Sequence, residues 1–321
     1  MFFRSFLASK KEELMSDIKF NTEPDGVIVV DKHAGVTSHD IVGKIRRLFG
    51  TRKVGHTGTL DPMATGVLVI LIGRAAKASE YLVCDSKRYL AGLRLGITTD
   101  TEDTSGAVLS ASECIPDTNT VLSAIKNFEG EIKQIPPMYS AIKVDGKKLV
   151  DLARSGQVIE REARNITVHS IIAEPTDNAT DYRLDVFCSG GTYIRTLCAD
   201  IGASLGCGGA MYSLRRVRSG NFEIENAHTI DELEKMELSE RLSLLMPTES
   251  LFDDLERVIL PNFYFGLCKN GCEIYQAKIG THLNDGARVR LCSPDGEFFA
   301  LGEVREYENG SAIKPIKFFV L

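Results

Sequence analysis

A single carboxylate sits in a loop whose own residues restrict it. The run Val54-Gly55-His56-Thr57-Gly58-Thr59-Leu60-Asp61-Pro62-Met63-Ala64-Thr65-Gly66-Val67-Leu68 joins two apolar segments. Glycines 55, 58 and 66 admit backbone angles closed to other residues, and Pro62 stiffens the chain just after the acid. The next residues, Val67-Leu68-Val69-Ile70-Leu71-Ile72, are wholly apolar, rich in β-branched side chains and too few for a free-standing helix, which predicts a central strand. An isolated Asp-Pro pair reads as a breaker in a solvated turn. A carboxylate held at a fixed angle is the other reading, and Asp61 is the catalytic candidate.

The surrounding pattern is that of a mixed α/β core. Val27-Ile28-Val29-Val30 predicts a buried strand ending at Asp31-Lys32. Thr37 is a good N-cap with Asp40 three residues on, and Ile41, Val42, Ile45, Leu48 and Phe49 then share one helical face before Gly50. Alternation predicts strands over 88–95, 166–172 and 182–188. Helices are expected near 121–128 and 147–154, and a third carries Ile194, Leu197, Cys198, Ile201 and Leu205 into Gly206. Strands and helices interleave without regular βαβ repetition. An acidic, helix-leaning stretch over 229–256 separates this core from a tail with turn signals at Asn270-Gly271, Asp285-Gly286 and Asp295-Gly296, the mark of a small β-barrel. At 321 residues the chain accommodates a large domain and a small one.

Charge and cysteines narrow the class. With 38 Lys and Arg against 44 Asp and Glu, the formal charge of −6 argues against wholesale wrapping of nucleic acid. Basic residues nevertheless cluster at Arg46, Arg47, Arg52 and Lys53, at Lys143, Lys147 and Lys148, and at Arg215, Arg216 and Arg218. Each cluster alone reads as a solvated face; several around one motif allow a local positive surface. The eight cysteines form no Cys-x-x-Cys pair and have no suitably spaced histidine, so neither a metal nor a disulfide framework is expected and a reducing cytoplasm fits. No stretch approaches a membrane span. Residues 1–24 read as an extension, with Met15 as an alternative start.

The Asp61 loop, Gly-His-Thr-Gly-Thr-Leu-Asp-Pro-Met-Ala-Thr-Gly, is similar nearly residue for residue to that of the bacterial tRNA pseudouridine synthases of the TruB type. The resemblance extends over about residues 25–220. It includes Val30-Asp31-Lys32, Gly35-Val36-Thr37-Ser38-His39-Asp40, Ser86-Lys87-Arg88-Tyr89 and Ile135-Pro136-Pro137-Met138-Tyr139-Ser140-Ala141-Ile142-Lys143. Asp145-Gly146-Lys147-Lys148-Leu149, Ser189-Gly190-Gly191-Thr192-Tyr193-Ile194-Arg195-Thr196 and Tyr212-Ser213-Leu214-Arg215-Arg216 complete it. One departure is His33, where the family usually has proline.

The resemblance implies a pseudouridine synthase catalytic domain with a mainly antiparallel sheet over 25–228, an RNA-gripping insertion near 134–156, an acidic connector over 229–256 and a PUA-like RNA-binding β-barrel over 257–321 with residues 314–321 as its last strand. It implies isomerisation of uridine 55 in the T loop of tRNA by a monomer needing neither cofactor nor guide RNA. Asp61 would be the nucleophile, since an ionised carboxylate can attack the sugar or C6 of the base. Arg195 would hold it ionised through two parallel hydrogen bonds, and Tyr193 would help remove the C5 proton. Without the resemblance, Gly191-Thr192-Tyr193-Ile194-Arg195 simply caps a helix, with Arg195 solvated. His56 matches the side chain that fills the space left by the flipped base, Tyr89 an aromatic platform for the uracil, and Leu214 a wall of its pocket. Lys32, Lys143 and Arg215 are candidates for phosphate or loop contacts. A guide-RNA-dependent relative and a non-catalytic RNA-binding protein on the same scaffold are the rival readings.

Overall fold

The computed structural model describes residues 23–82, 86–140, 142–144, 146–157 and 159–320. Residues 1–22 of the expected extension and Cys84 lie outside them.

A nine-stranded sheet forms the centre. Its strands are β1 (Gly26–Lys32), β2 (Val54–His56), β3 (Thr65–Ile72), β4 (Lys87–Leu95), β5 (Gly130–Gln134), β6 (Arg164–Pro175), β7 (Asp181–Cys188), β8 (Gly209–Ser219) and β9 (Phe222–Glu223). Seven lie in the order β1-β3-β8-β4-β7-β6-β5, with β2 against β3 and β9 against β8. Every pairing is antiparallel except the short parallel contact of β8 with β3. The architecture is therefore the mixed α/β one, with a mainly antiparallel sheet.

The apolar run of β3 is continuous because both faces are covered. Leu68, Ile70 and Ile72 join Ile28 and Val30 of β1 in a cluster with helix α1 (Ser38–Leu48), which contributes Ile41, Val42 and Ile45. Val67, Val69 and Leu71 face the other way and pack with Val27, Val29, Leu251, Phe252, Leu301 and Phe319. The carboxy-terminal part of the chain is thus the second cover of the central strand. Each such side chain contributes roughly 1.5–3 kcal/mol on burial. Helix α1 starts as its sequence dictates, since Thr37 and Asp40 cap each other reciprocally. Helices α2 (Thr118–Lys126) and α3 (Ile194–Ser204) add Val121, Ile125, Leu197 and Ile201 to the first cluster.

Two expectations need correcting. The helix expected over 147–154 begins only at Leu149, because Lys147 and Lys148 pair with Lys143 and Val144 in a short hairpin turned by Gly146 at φ +80°. The last strand runs Gly310–Phe318, earlier than the expected 314–321. The carboxy-terminal strands β10 (Glu256–Ile259), β11 (Ile274–Tyr275), β12 (Arg288–Cys292), β13 (Phe298–Tyr307) and β14 (Gly310–Phe318) form a five-stranded half-barrel sheet in the order β10-β12-β13-β14-β11. It encloses Val258, Ile274, Val289, Leu291, Phe299 and Ile313. The acidic connector holds two short helices, Ile230–Lys235 and Leu238–Ser243.

Strand β3 has an unusual edge. β1 occupies one side over its length, while the other is shared: β2 pairs with residues 70–72 and β8 with residues 65 and 66. The close approach of β8 needs Gly66, whose φ is +101° and whose place for a Cβ lies 2.1 Å from the Arg216 carbonyl oxygen. A Gly66→Ala variant is expected to lose about 2 kcal/mol or more of stability, read as a lower denaturant midpoint, because the obstructing atom is backbone and cannot swing away.

Candidate active site

The Asp61 loop leaves the sheet where β2 parts from β3, and buried groups pin it at successive residues. The Ser38 hydroxyl accepts from the Leu60 N–H at 2.8 Å and donates to the Leu60 carbonyl at 3.1 Å. Lys32, with no exposed surface, donates through Nζ to the carbonyls of Ala64 at 2.6 Å, His33 at 3.0 Å and Pro62 at 3.3 Å. The Gly35 N–H also reaches the Pro62 carbonyl, at 2.8 Å. Arg216, only 1% exposed, fills the gap between β2 and β8: Nε donates to the Val67 carbonyl at 2.7 Å and Nη2 to the Gly58 carbonyl at 3.1 Å. Leu60 and Ala64 on either side of the acid are buried. The carboxylate therefore stands on a backbone with little freedom.

Arg195 comes from the first turn of α3 and meets Asp61 edge-on, Nε to Oδ2 at 2.8 Å and Nη2 to Oδ1 at 3.2 Å. Two further donors go to backbone, Nη1 to the Thr101 carbonyl at 3.0 Å and Nη2 to the Tyr139 carbonyl at 2.8 Å. The solvated alternative for Arg195 fails, since its side chain is 5% exposed, whereas a third of Asp61 stays open to solvent. Asp103, buried, has Oδ2 at 3.9 Å from the same Arg195 Nε. Its Oδ1 accepts from Thr101 Oγ1 at 2.9 Å and from the Ser105 N–H at 2.9 Å.

These neighbours decide the charge on Asp61. Burial raises its pKa above the usual carboxylate value, Arg195 opposes that rise, and Asp103 adds to it. Arg195 acts in the expected direction, favouring the ionised carboxyl, while water lost around the carboxylate and a like charge nearby act against it. Burial also lowers Lys32 to about 8, against the attraction of Asp61. His56 is depressed by burial and then by Arg216 and His39, which favours the neutral ring, and its Nδ1 is enclosed without a hydrogen-bond partner among the described residues.

The other candidates divide. Tyr193 immediately precedes α3, its hydroxyl pKa raised by burial. Tyr89 on β4 is 7% exposed and packs in the main apolar cluster beside Arg216. Leu214 borders a cleft of about 770 Å³ beside the loop, together with Ala34, Met63, Thr65, Leu90 and Tyr212. Lys32 is corrected from a phosphate ligand to an internal tie of the loop, because its ammonium is sealed among carbonyls. Arg215 is already paired with Asp31, Nη2 to Oδ2 at 2.7 Å and Nη1 to Oδ1 at 3.2 Å. Lys143 lies in the short hairpin, its side chain outside the described part of the structure. Sequence reasoning missed Ser38, Asp103 and Arg216 as parts of the site. The turn-rich run Asp100-Thr101-Glu102-Asp103-Thr104-Ser105-Gly106 was a signal for Asp103; Arg216 had none, reading as part of a solvated basic cluster. Among the described residues no cluster of three or more metal-ligating side chains occurs, and no helix is long and apolar enough to cross a membrane.

Comparison with known proteins bears on this geometry. Residues 46–194 match the family model described as TruB family pseudouridylate synthase (N terminal domain), and residues 195–261 that described as tRNA pseudouridylate synthase B C-terminal domain. A protein of Alkaliphilus oremlandii named tRNA pseudouridine synthase B is 42% identical over 91% of this chain and 98% of its own length. One of Clostridium kluyveri with the same name is 39% identical over 92% of this chain and all of its own. Among solved structures, a chain of a Cbf5-Nop10-Gar1 complex matches with a TM-score of 0.71 and 27% identity, covering 92% of this chain and 85% of that one. A chain of an H/ACA RNP bound to a substrate RNA containing 2′-deoxyuridine matches at 0.69 and 25%, covering 93% and 86%.

The charge balance at Asp61 is open to direct measurement. Replacing Asp103→Asn removes the like charge, so the Asp61 carboxyl is expected to titrate at lower pH than in the parent protein, followed by carbon-13 NMR of labelled aspartate. An unchanged or higher midpoint would contradict the assignment of Asp103 as a contributor to the raised pKa.

Proposed function

Because the chain belongs to the TruB family of pseudouridine synthases, we propose that it isomerises uridine 55 in the T loop of tRNA to pseudouridine with Asp61 as nucleophile. The observation that carries this is the bidentate Arg195–Asp61 pair on a loop pinned from Gly58 to Ala64. The isomerisation breaks the bond from N1 to C1′, turns the uracil and joins C5 to C1′; C5 loses a proton and N1 gains one. Nothing is oxidised or hydrolysed. Asp61 supplies the nucleophile, by attack on the sugar or on C6 of the base, and leaves again when the new bond has formed. Burial raises its pKa, so the carboxylate, once ionised, is more basic than that of a free aspartate.

The base must leave its stack first, at a cost of a few kcal/mol. A neutral His56 in the same loop suits the vacated space, since it introduces no charge among stacked bases. Leu214 and the buried ring of Tyr89 suit the pocket wall and floor, and Tyr193 suits removal of the C5 proton. The domain division at about residue 228, the insertion near 134–156 and RNA affinity from the carboxy-terminal half-barrel belong to the same proposal. So do the monomeric state and action on bare tRNA, the latter supported over the guide-dependent alternative by agreement over most of the chain with proteins named tRNA pseudouridine synthase B.

The test is tritium release from an unmodified tRNA transcript labelled at uridine C5, followed by mapping of pseudouridine. Release confined to the T-loop uridine is expected without cofactor or guide RNA. Asp61→Asn, which keeps a neutral partner for Arg195, is expected to lower the rate by at least about 10⁴-fold while tRNA binding persists. Binding of tRNA by the parent protein without release would overturn the proposal.

A further inference from the structure

Helix α3 carries Arg195 on its first turn yet lacks a side-chain cap of its own, since Tyr193 at the N-cap position makes no capping hydrogen bond through its side chain. The missing constraint arrives from 59 residues earlier in the chain. Gln134, the last residue of β5 and 2% exposed, accepts from the Tyr193 N–H through Oε1 at 2.8 Å and donates through Nε2 to the Tyr193 carbonyl at 3.0 Å. Tyr193 has extended angles, φ −96° and ψ 108°. One amide side chain thus does for this residue what a neighbouring strand would, fixing both of its main-chain groups. Both polar atoms of this buried amide are thus engaged by a single residue.

The chain beyond Gln134 turns back to the same place. Pro136 and Pro137 limit its backbone, and the Tyr139 carbonyl accepts from Arg195 Nη2 at 2.8 Å. β5 is an edge strand, held in register on β6 by pairs such as Gln134 with Arg164. We propose that Gln134 is a positioning residue for the site: by clamping the Tyr193 backbone it sets the start of α3 and so the direction in which Arg195 meets Asp61. It touches neither Asp61 nor any reacting atom. The inference deepens the pseudouridine synthase reading and rests on it for its kinetic consequences only. Displacement of a catalytic group by about 1 Å can cost about 10²-fold in rate, so one amide at this distance has leverage.

The test pairs two variants. Gln134→Met removes both hydrogen bonds at similar volume. With Arg195 less well aimed, the Asp61 carboxyl loses part of the attraction that lowers its pKa, so its carbon-13 titration midpoint is expected to move upward. In the tritium assay kcat is expected to fall by about 10- to 100-fold with KM for tRNA unchanged. A folded Gln134→Met protein whose Asp61 midpoint does not move overturns the proposal, whatever its activity. Gln134→Glu keeps the acceptor but sets a second carboxylate oxygen against the Tyr193 carbonyl until it is protonated. Its rate relative to the parent protein is therefore expected to rise as pH falls, and a pH-independent ratio counts against the proposal even where Gln134→Met does not fold. The Asp61 titration needs no turnover, so absence of activity in the parent protein would sink the functional reading and leave this inference standing on its own measurement.

Discussion

The site depends on an edge of β3 that two strands share without meeting. β2 and β8 leave a stretch of that edge uncovered, and a backbone carbonyl there would lack a partner in a dry interior, which costs on the order of 1–3 kcal/mol. Arg216 supplies the partner for Val67 and, with the other end of its guanidinium, for Gly58. The loop bearing Asp61 exists because the strands diverge, and it holds still because Arg216, Lys32 and Ser38 bind its carbonyls and N–H groups from inside. Gly66 is the steric condition for all of this, as it lets β8 come close enough to deliver Arg216.

Two buried cations with no carboxylate within ion-pair distance among the described residues, Lys32 and Arg216, are unusual, because removing charge from water is expensive unless it is compensated. Carbonyl oxygens compensate here, in part. The electrostatic consequence reaches the site: Lys32 is lowered to about 8, His56 is driven toward the neutral ring, and Asp61 is pushed up by burial despite Arg195. Asp103 lies near the same guanidinium nitrogen as Asp61, so Arg195 has two carboxylate neighbours, one sealed and one a third exposed. That asymmetry leaves Asp61 the accessible carboxylate of the two.

The half-barrel contributes to this arrangement although it lies far along the chain. Its Leu301 and Phe319, together with Leu251 and Phe252 just before it, cover the face of β3 and β1 opposite α1. The strand that follows the Asp61 loop is thereby held between two covers, which explains an apolar run without the alternation of a one-sided strand.

Local chemistry was legible in the sequence. The reciprocal cap of Thr37 and Asp40, the run that became β3, the strands β4, β6 and β7, and the helix carrying Arg195 all follow from nearest-neighbour patterns, because capping, periodicity and β-branching act over a few residues. The pairing of Asp61 with Arg195 across 134 residues came from resemblance, not from any pattern of spacing. What only the tertiary structure decided is which charges are inside. Lys32 and Arg216 carry the same residue types as solvated neighbours, and Arg215 and Arg216 differ by one position yet one faces Asp31 at the surface and the other fills the interior. A strand alternates its faces with every residue, so the register that β8 adopts on β3 and β4 sets the fate of each arginine. That register is fixed by contacts between segments more than about 110 residues apart, which no local reading of the chain contains.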